Sequence, residues 1–134
     1  MHVEDTRQKT VLVVEDDPWT RTVTTALLAS EGYAVVEAKN GEEGLALAAA
    51  QSPDVVLLDL ALPAKSGLEV LRELKGAART AAIPVIVVSA YGDLMRPEDV
   101  RQTEAVIQKP FDLDDLLTRV ERASPALAPA LSAV

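Results

Sequence analysis

Cysteine is absent from this 134-residue sequence, histidine occurs once, and aromatic residues make up only 3% of the chain. Without cysteine, a disulfide scaffold, a thiolate metal site and a cysteine nucleophile are all excluded. The single histidine, His2, lies in a polar N-terminal stretch, which argues against a histidine-based triad or zinc cluster. Because aromatic side chains are so few, the hydrophobic core has to be built from Val, Leu, Ile and Ala.

Excess positive charge and long hydrophobic runs are also lacking. The formal net charge is −8, which has the wrong sign for nonspecific binding to DNA or to an anionic membrane. No apolar run approaches the length that spans a bilayer, and the first ten residues do not resemble a signal peptide. We therefore expect a soluble, cytoplasmic protein that contacts neither nucleic acid nor membrane directly.

The composition and the length that are present fit one folded domain. Hydrophobic residues make up 49% and charged residues 25% of the chain, a balance typical of globular proteins rather than disordered ones. We place the domain at residues 10–123, after an N-terminal extension of residues 1–9. Two prolines oppose a regular helix in the Pro/Ala-rich C-terminal tail, residues 124–134.

Short apolar runs alternate with segments of helical length. The runs lack polar alternation, which is typical of strands covered on both faces in a parallel sheet. They comprise residues 11–14, 33–38, 55–58, 85–88 and 105–108. Five β-α units in this order predict an α/β fold, with an open parallel sheet and helices on both of its faces.

The helices between these strands have recognisable starts. Capping residues begin four of them, namely Asp17 before Pro18, Asn40, Ser66 and Asp112. In the first helix, four apolar residues recur at helical spacing and predict its buried stripe: Trp19, Val23, Ala26 and Leu27.

Acidic residues stand where two of the strands end. The first strand runs into Glu15 and Asp16, and the third into Asp59. Since ligands bind at the carboxyl ends of the strands in such sheets, we expect these three carboxylates to converge there. Their mutual repulsion favours a bound hard divalent cation, above all Mg²⁺, as cofactor. Asp17, by contrast, is interpreted as a helix cap.

A hydroxyl and an ammonium group are expected at the same edge. Ser89 ends the fourth strand, and Lys109 ends the fifth. A carboxylate can act as a nucleophile toward phosphorus, and phosphoryl transfer needs positioning and charge neutralisation more than covalent help. In this interpretation Asp59 attacks in line, while Mg²⁺, Lys109 and Ser89 each take one phosphoryl oxygen.

The motifs that carry these residues resemble the receiver domain of two-component response regulators. They are Val-Val-Glu15-Asp16-Asp17-Pro, Leu-Leu-Asp59-Leu-Ala-Leu-Pro63 with Ser66-Gly67, Ser89-Ala90, and Lys109-Pro110-Phe111. Each motif is short, but their order and spacing are specific, and the resemblance covers about residues 10–123. It implies a flavodoxin-like, doubly wound sheet of five strands in the order 2-1-3-4-5.

The resemblance also implies a role for each acidic residue. Asp59 corresponds to the phosphoacceptor. The Mg²⁺ ligands correspond to Glu15, Asp16, Asp59 and the backbone carbonyl of Ala61.

The resemblance extends to the hydroxyl, the lysine and the partners. Ser89 corresponds to the switch hydroxyl, and Lys109 to the lysine that pairs first with the acceptor and then with phosphate, followed by a cis bond to Pro110. The implied donor is a histidine kinase or a histidine phosphotransfer protein, and the implied target is a downstream protein. A homodimer would also fit the family. We expect no enzyme activity beyond self-phosphorylation from a donor and loss of the phosphate.

Three features depart from the family pattern. Val106 stands where an aromatic residue is common, three residues before the lysine, and Arg101-Gln-Thr-Glu104 replaces a typical Gly-Ala pair. The segment between Ser89 and Lys109 is slightly shorter than usual. The fourth helix is therefore predicted to be short, about residues 97–103, in the face that usually carries the output signal.

Three alternatives were compared with the receiver interpretation. A phosphatase of the haloacid-dehalogenase type needs a second Asp two residues after the nucleophile, where this chain has Ala61. A flavin carrier needs a hydroxyl-rich phosphate loop after the first strand, and the acidic run there would repel the phosphate. A receiver-like interaction module that works without phosphorylation is the main alternative, motivated by the altered residues 91–106.

The sequence predicts no output domain. We therefore expect either a stand-alone regulator or phosphorelay intermediate that acts by protein contact, or a piece of a longer chain. Ala61 and Tyr91 lie two residues after Asp59 and Ser89, respectively, and flank the approach of hydrolytic water. We predict that these two side chains set the lifetime of the phosphate.

Overall fold

The computed structural model describes residues 8–90 and 95–124, in which five strands alternate with five helices. The strands are β1 (Thr10–Val14), β2 (Ala34–Ala38), β3 (Val55–Asp59), β4 (Val85–Ser89) and β5 (Ala105–Gln108). The helices are α1 (Pro18–Ser30), α2 (Gly41–Gln51), α3 (Gly67–Gly76), α4 (Pro97–Val100) and α5 (Leu113–Ala123). The predicted α/β class is confirmed.

The strands form one parallel sheet in the order β2-β1-β3-β4-β5. This is the order that the resemblance implied. Val14 pairs with Ala38 on one side and with Leu58 on the other, and Asp59 pairs with Val88. The carboxyl ends of the strands are therefore nearly level, and the residues that follow them lie along one edge.

Alternate strand residues pack against two separate helical layers. Leu12 belongs to the buried cluster that includes Leu71 of α3. The next residue, Val13, belongs to the opposite cluster, together with Leu28 of α1 and Leu116 of α5. Burial of each such aliphatic side chain contributes roughly 1.5–3 kcal/mol. Because both faces are covered, the strands need continuous apolar runs.

Side-chain caps begin the helices as predicted. Asp17 and Asn40 each accept a hydrogen bond at 2.8 Å from a backbone N–H of the first helical turn. Ser66 forms a reciprocal capping box with Glu69, and Asp112 caps α5. Caps of this kind contribute about 1 kcal/mol each, and they fix where the loops at the carboxyl edge end.

The predicted buried stripe of α1 is wrong at three of its four positions, since only Leu27 is partly buried and packs against the core. Trp19 is 75% exposed and Val23 is 36% exposed, whereas Thr24 and Leu28 are the buried residues of this helix. The buried face is turned by one position, about 100° around the helix. A threonine occupies a core-facing position there, so a search for apolar periodicity selects the neighbouring face instead.

The fourth helix is shorter than predicted. The expected range was residues 97–103, but α4 is the four-residue segment Pro97–Val100. Hydrogen-bonded turns follow it, with the N–H of Thr103 bound to the carbonyl of Val100. The helix is thus short, as predicted, but it ends three residues before the predicted limit.

The predicted terminal segments are described only in part. Residues 1–7 and 125–134 lie outside the described residues, as do residues 91–94, which include Tyr91. The domain limits therefore stay a prediction. Across residues 8–90 and 95–124, none of the helices has both the length and the apolar character needed to cross a bilayer.

Candidate functional site

Three carboxylates meet at the carboxyl edge of the sheet. Glu15 and Asp16 directly follow β1, and Asp59 is the last residue of β3. One carboxylate oxygen from each lies within 4.8 Å of the other two. The convergence predicted from the sequence is confirmed, and it follows from the pairing of two neighbouring parallel strands.

An ammonium group lies between two of these carboxylates. Lys109 Nζ is 3.2 Å from Glu15 Oε1 and 3.2 Å from Asp59 Oδ2. The side chains of Glu15 and Asp59 are almost fully buried, that of Lys109 is partly exposed, and Asp16 is exposed. The peptide bond between Lys109 and Pro110 is cis, as expected.

Backbone N–H groups hold the remaining oxygens of the two buried acids. Asp59 Oδ1 accepts a hydrogen bond from the N–H of Ala61 at 3.0 Å, and Glu15 Oε2 accepts one from Asp17 at 3.1 Å. Each carboxylate therefore has one oxygen on the backbone and the other on Lys109. This arrangement fixes the direction in which both carboxylates point.

Burial and charge act against each other in this cluster. Burial raises the pKa of Glu15, and the nearby Asp59 adds to the rise, while the Asp17 N–H and Lys109 oppose it. Burial alone would lower the pKa of Lys109, but the carboxylates of Asp59 and Glu15 outweigh that effect and raise it. Lys109 therefore stays an ammonium group at neutral pH.

Ser89 and Ala61 also lie where the sequence places them. Ser89 is the last residue of β4, is fully buried, and accepts a backbone hydrogen bond from Lys109 at 3.0 Å. Ala61 is exposed in the loop after β3. The roles of the Ser89 hydroxyl and of the Ala61 carbonyl stay predictions.

Close packing beneath Asp59 requires a glycine at the start of α3. A Cβ atom at Gly67 would lie 2.2 Å from the carbonyl oxygen of Asp59 and 2.5 Å from Cα of Leu60. The N–H of Gly67 also donates to the carbonyl of Leu60 at 3.0 Å. Gly67 belongs to the Ser66-Gly67 motif, but its packing role is visible only in the structure.

Arg21 was missed in the sequence. It lies in the first turns of α1, and its Nη1 atom is 2.7 Å from the backbone carbonyl oxygen of Glu15. A basic residue five positions after Asp16 was the available signal, but sequence spacing does not reveal a side chain that turns back to a carbonyl.

The donor set fits a hard divalent cation. All three converging groups are carboxylates, and oxygen ligands are the kind that Mg²⁺ binds. Glu15, Asp16 and Asp59 are the side chains that could hold such an ion. The exposure of Asp16 leaves one side of the cluster open to solvent, as an ion that keeps several waters requires.

Comparisons with known proteins agree with this geometry. The family model described as response regulator receiver domain matches residues 11–121. Polar-differentiation response regulator DivK of Brucella anthropi is 36% identical over 115 residues, which cover 84% of this chain and 94% of DivK. Among solved structures, the crystal structure of response regulator protein TrrA from Thermotoga maritima in complex with Mg²⁺–BeF matches this chain with a TM-score of 0.79. The two sequences are 31% identical. That match covers 87% of this chain and 99% of TrrA.

Some relatives are longer than the matched region. Protein PilH of Pseudomonas aeruginosa is 43% identical over 79 residues, which cover 59% of this chain and 65% of PilH. For two other relatives the match spans 46% and 24% of their length, so the chain covers less than half of each. The family match itself runs from β1 to α5. The chain belongs to the family of response regulator receiver domains.

Proposed function

We propose that this receiver domain accepts a phosphoryl group on Asp59 from the phosphohistidine of a histidine kinase or histidine phosphotransfer protein. One observation carries the proposal: the Asp59 carboxylate contacts the Lys109 ammonium group at 3.2 Å and lies within 4.8 Å of two further carboxylates. A nucleophilic carboxylate, a fixed positive charge and a cation site then lie at one edge of the sheet.

The proposed transfer is a single displacement at phosphorus. An oxygen of Asp59 attacks, the bond between phosphorus and the donor's imidazole nitrogen breaks, and the electron pair of that bond passes to the nitrogen. The imidazole leaves in neutral form when its other ring nitrogen carries a proton. The product is an aspartyl phosphate, and no general acid from this chain is needed.

The residues around Asp59 prepare the site for the added charge. Bound Mg²⁺ would neutralise phosphoryl oxygens, and Glu15, Asp16, Asp59 and the Ala61 carbonyl are the groups proposed to hold it. TrrA was crystallised with Mg²⁺ and BeF, which supports this choice of ion. Lys109 already contacts the acceptor and needs little movement to contact a phosphoryl oxygen.

A protein donor would find an apolar surface beside the acceptor. A groove of about 550 Å³ lies between the start of α1 and the segment after β5, and Lys109 lines one side of it. Trp19 and Leu113 line the groove and are 75% and 43% exposed. We therefore propose that the donor protein docks here.

Phosphorylation would then act as a signal. It adds negative charge and acceptor oxygens beside Ser89, and this biases the loop after β4 and the α4 region toward a second conformation. The readout is a protein partner, in the cytoplasm, and the chain turns over no separate substrate.

A phosphorylation-independent interaction module is the second candidate. The observation that favours it is the altered segment before Lys109. There α4 has four residues, and Val106 stands where the family commonly has an aromatic residue. In this case the residues at the sheet edge would not take part in phosphorylation, and binding to the partner would not depend on Asp59.

Incubation with Mg²⁺ and acetyl phosphate, followed by intact-mass measurement, separates the two candidates. We expect a single phosphoryl adduct in the wild type and none in Asp59→Asn. Asp112→Asn is the matched control, because Asn caps a helix as well as Asp does, and it should gain the adduct normally. A wild type that gains no adduct from acetyl phosphate or from any phosphohistidine donor would favour the interaction module.

A further inference from the structure

Arg21 has contacts that the proposed phosphoryl transfer does not use. It is the fourth residue of α1, and its side chain is only 18% exposed. Instead of extending into solvent, it turns back toward the acidic loop, where Nη1 donates to the carbonyl oxygen of Glu15 at 2.7 Å. A hydrogen bond from a charged donor at this distance is among the stronger kinds in proteins.

The acceptor of this hydrogen bond belongs to the peptide unit that joins Glu15 to Asp16. A peptide unit is planar and moves as one body. Its orientation sets ψ of Glu15 and φ of Asp16, and therefore where both carboxylates point. On the other side, the N–H of Glu15 is fixed by the carbonyl of Ala38 at 3.0 Å. Arg21 thus fixes the plane of the peptide unit that joins the candidate metal ligands Glu15 and Asp16.

Arg21 is itself held in place by β2. Its Nε atom donates to Glu37 Oε1 at 3.2 Å, and the Glu37 side chain is 43% exposed. An exposed ion pair of this kind adds little to stability, so its main effect here is on the direction of the guanidinium group. The planar guanidinium can direct one N–H to Glu37 and another to Glu15 at the same time, which the single ammonium of a lysine does less well.

We infer that Arg21 is a positioning residue for the metal site: it holds the peptide between Glu15 and Asp16 so that both carboxylates face one bound Mg²⁺. This inference rests on the proposed function, because it assigns the three carboxylates to that ion. Arg21 itself touches neither the ion nor the phosphoryl group.

The direction in which Mg²⁺ affinity changes when Arg21 is replaced distinguishes a positioning role from a simple charge effect. Removal of a positive charge beside three carboxylates should, by Coulomb attraction alone, strengthen the binding of a cation. Loss of the hydrogen bond to the Glu15 carbonyl should weaken it, because the two ligands are no longer held in place. Partners behind the direct ligands of a metal typically affect affinity by about 10- to 100-fold.

Calorimetric titration with MgCl₂ alone, without a phosphodonor, tests the inference. We expect Arg21→Gln to weaken Mg²⁺ binding roughly tenfold and Arg21→Lys to fall between that variant and the wild type. Lys39→Gln is the charge-matched control, since Lys39 lines the same surface depression as Arg21, and it should not weaken binding. Equal or tighter binding by Arg21→Gln would overturn the inference.

Two further measurements keep the result specific. In the metal-free protein, the ¹³C resonance of the Glu15 carbonyl should shift upfield in Arg21→Gln but not in Lys39→Gln, which leaves the contacts of Arg21 with Glu15 and Glu37 in place. An unchanged resonance would contradict the inference. If Arg21→Gln binds Mg²⁺ like the wild type and both gain the phosphoryl adduct, only the positioning role is wrong. If the wild type binds no Mg²⁺, the proposed metal site fails, and the inference fails with it.

Discussion

The edge that carries Asp59 and the segment around α4 are held together in different ways. At the edge, parallel strands deliver Glu15 and Asp59 to one place, and Lys109 joins them from β5. Around α4 there are only four helical residues, and side-chain contacts secure the segment. The proposed acceptor site is thus a consequence of the sheet, whereas the position of α4 depends on individual residues.

An ion pair joins α4 to α3. Arg72 Nε and Nη2 donate to the two carboxylate oxygens of Asp99, each at 3.1 Å. Asp99 is buried and also accepts a hydrogen bond from the N–H of Arg96. Met95, just before the helix, is buried in the core cluster that contains Leu74 of α3. The short helix is therefore anchored at both its start and its middle.

The same segment departs from the family pattern at Val106, where an aromatic residue is common. Val106 is partly buried and packs against the core cluster on the α2 and α3 side of the sheet. A valine side chain carries only two methyl groups. It therefore cannot move between a buried and an exposed position in the way that an aromatic ring can. We therefore expect any signal from the Asp59 site to use groups other than the Val106 side chain.

The largest expected effect concerns the acceptor edge. Lys109→Met removes the positive charge that contacts both Glu15 and Asp59, and we expect phosphorylation by acetyl phosphate to slow about 100-fold. Lys65→Met, which removes a lysine paired with Glu73, should leave the rate unchanged. Equal rates in Lys109→Met and the wild type would show that the edge does not use this lysine. The rates are measured by intact mass against time.

A smaller effect tests the packing beneath the acceptor. Gly67→Ala places a methyl group against the Asp59 carbonyl, so we expect the protein to lose about 1–3 kcal/mol of stability and to phosphorylate more slowly. Gly76→Ala is the matched control, because no atom lies within 4 Å of its added methyl group. Urea denaturation compares the two variants. Similar stabilities would contradict the close approach of α3 to β3.

Substitution of Asp99 tests whether the α4 segment is independent of the edge that carries Asp59. Asp99→Asn should lower the temperature of unfolding but leave acetyl phosphate phosphorylation intact, because the hydrogen-bond partners of Asp99 are Arg72 and Arg96 rather than Asp59 or Lys109. Glu98→Gln, an exposed neighbour, should change neither. A loss of phosphorylation in Asp99→Asn would mean that the α4 anchor and the acceptor edge are coupled.

The Asp99 pair also predicts a dependence on pH. The hydrogen bonds from Arg72 lower the pKa of Asp99. The pair therefore stabilises the fold fully above the unfolded-state pKa of Asp99, and the contribution is lost as the pH falls through the folded-state value. The difference in unfolding temperature between the wild type and Asp99→Asn should narrow on acidification. A difference that stays constant would contradict the charged pair.

The smallest effect concerns the lifetime of the phosphate. Ala61 is exposed next to Asp59 and cannot orient a water molecule. An amide can donate a hydrogen bond to water, so we expect Ala61→Asn to lose phosphate faster. The adduct is followed by mass after removal of the donor. An unchanged rate would show that this side chain does not control access of water to the phosphate.

Much of the acceptor edge could be predicted because its causes are local in the sequence. Continuous apolar runs identify the strands, and the residue after each run must lie at the carboxyl edge, which located Glu15, Asp59 and Lys109. The stripe of α1 was wrong because a core position is occupied by Thr24. The contacts of Arg21 and Arg72 depend on side-chain conformations and on partners that no sequence periodicity marks.

Chemical localisation of the phosphoryl group tests the central claim most directly. Borohydride reduces an aspartyl phosphate to homoserine, and peptide mass mapping of the treated wild-type protein identifies the converted position. The account predicts conversion at Asp59 alone, and only when Mg²⁺ was present during phosphorylation. Conversion at Asp16 or Asp17, or the same yield without the ion, would contradict it.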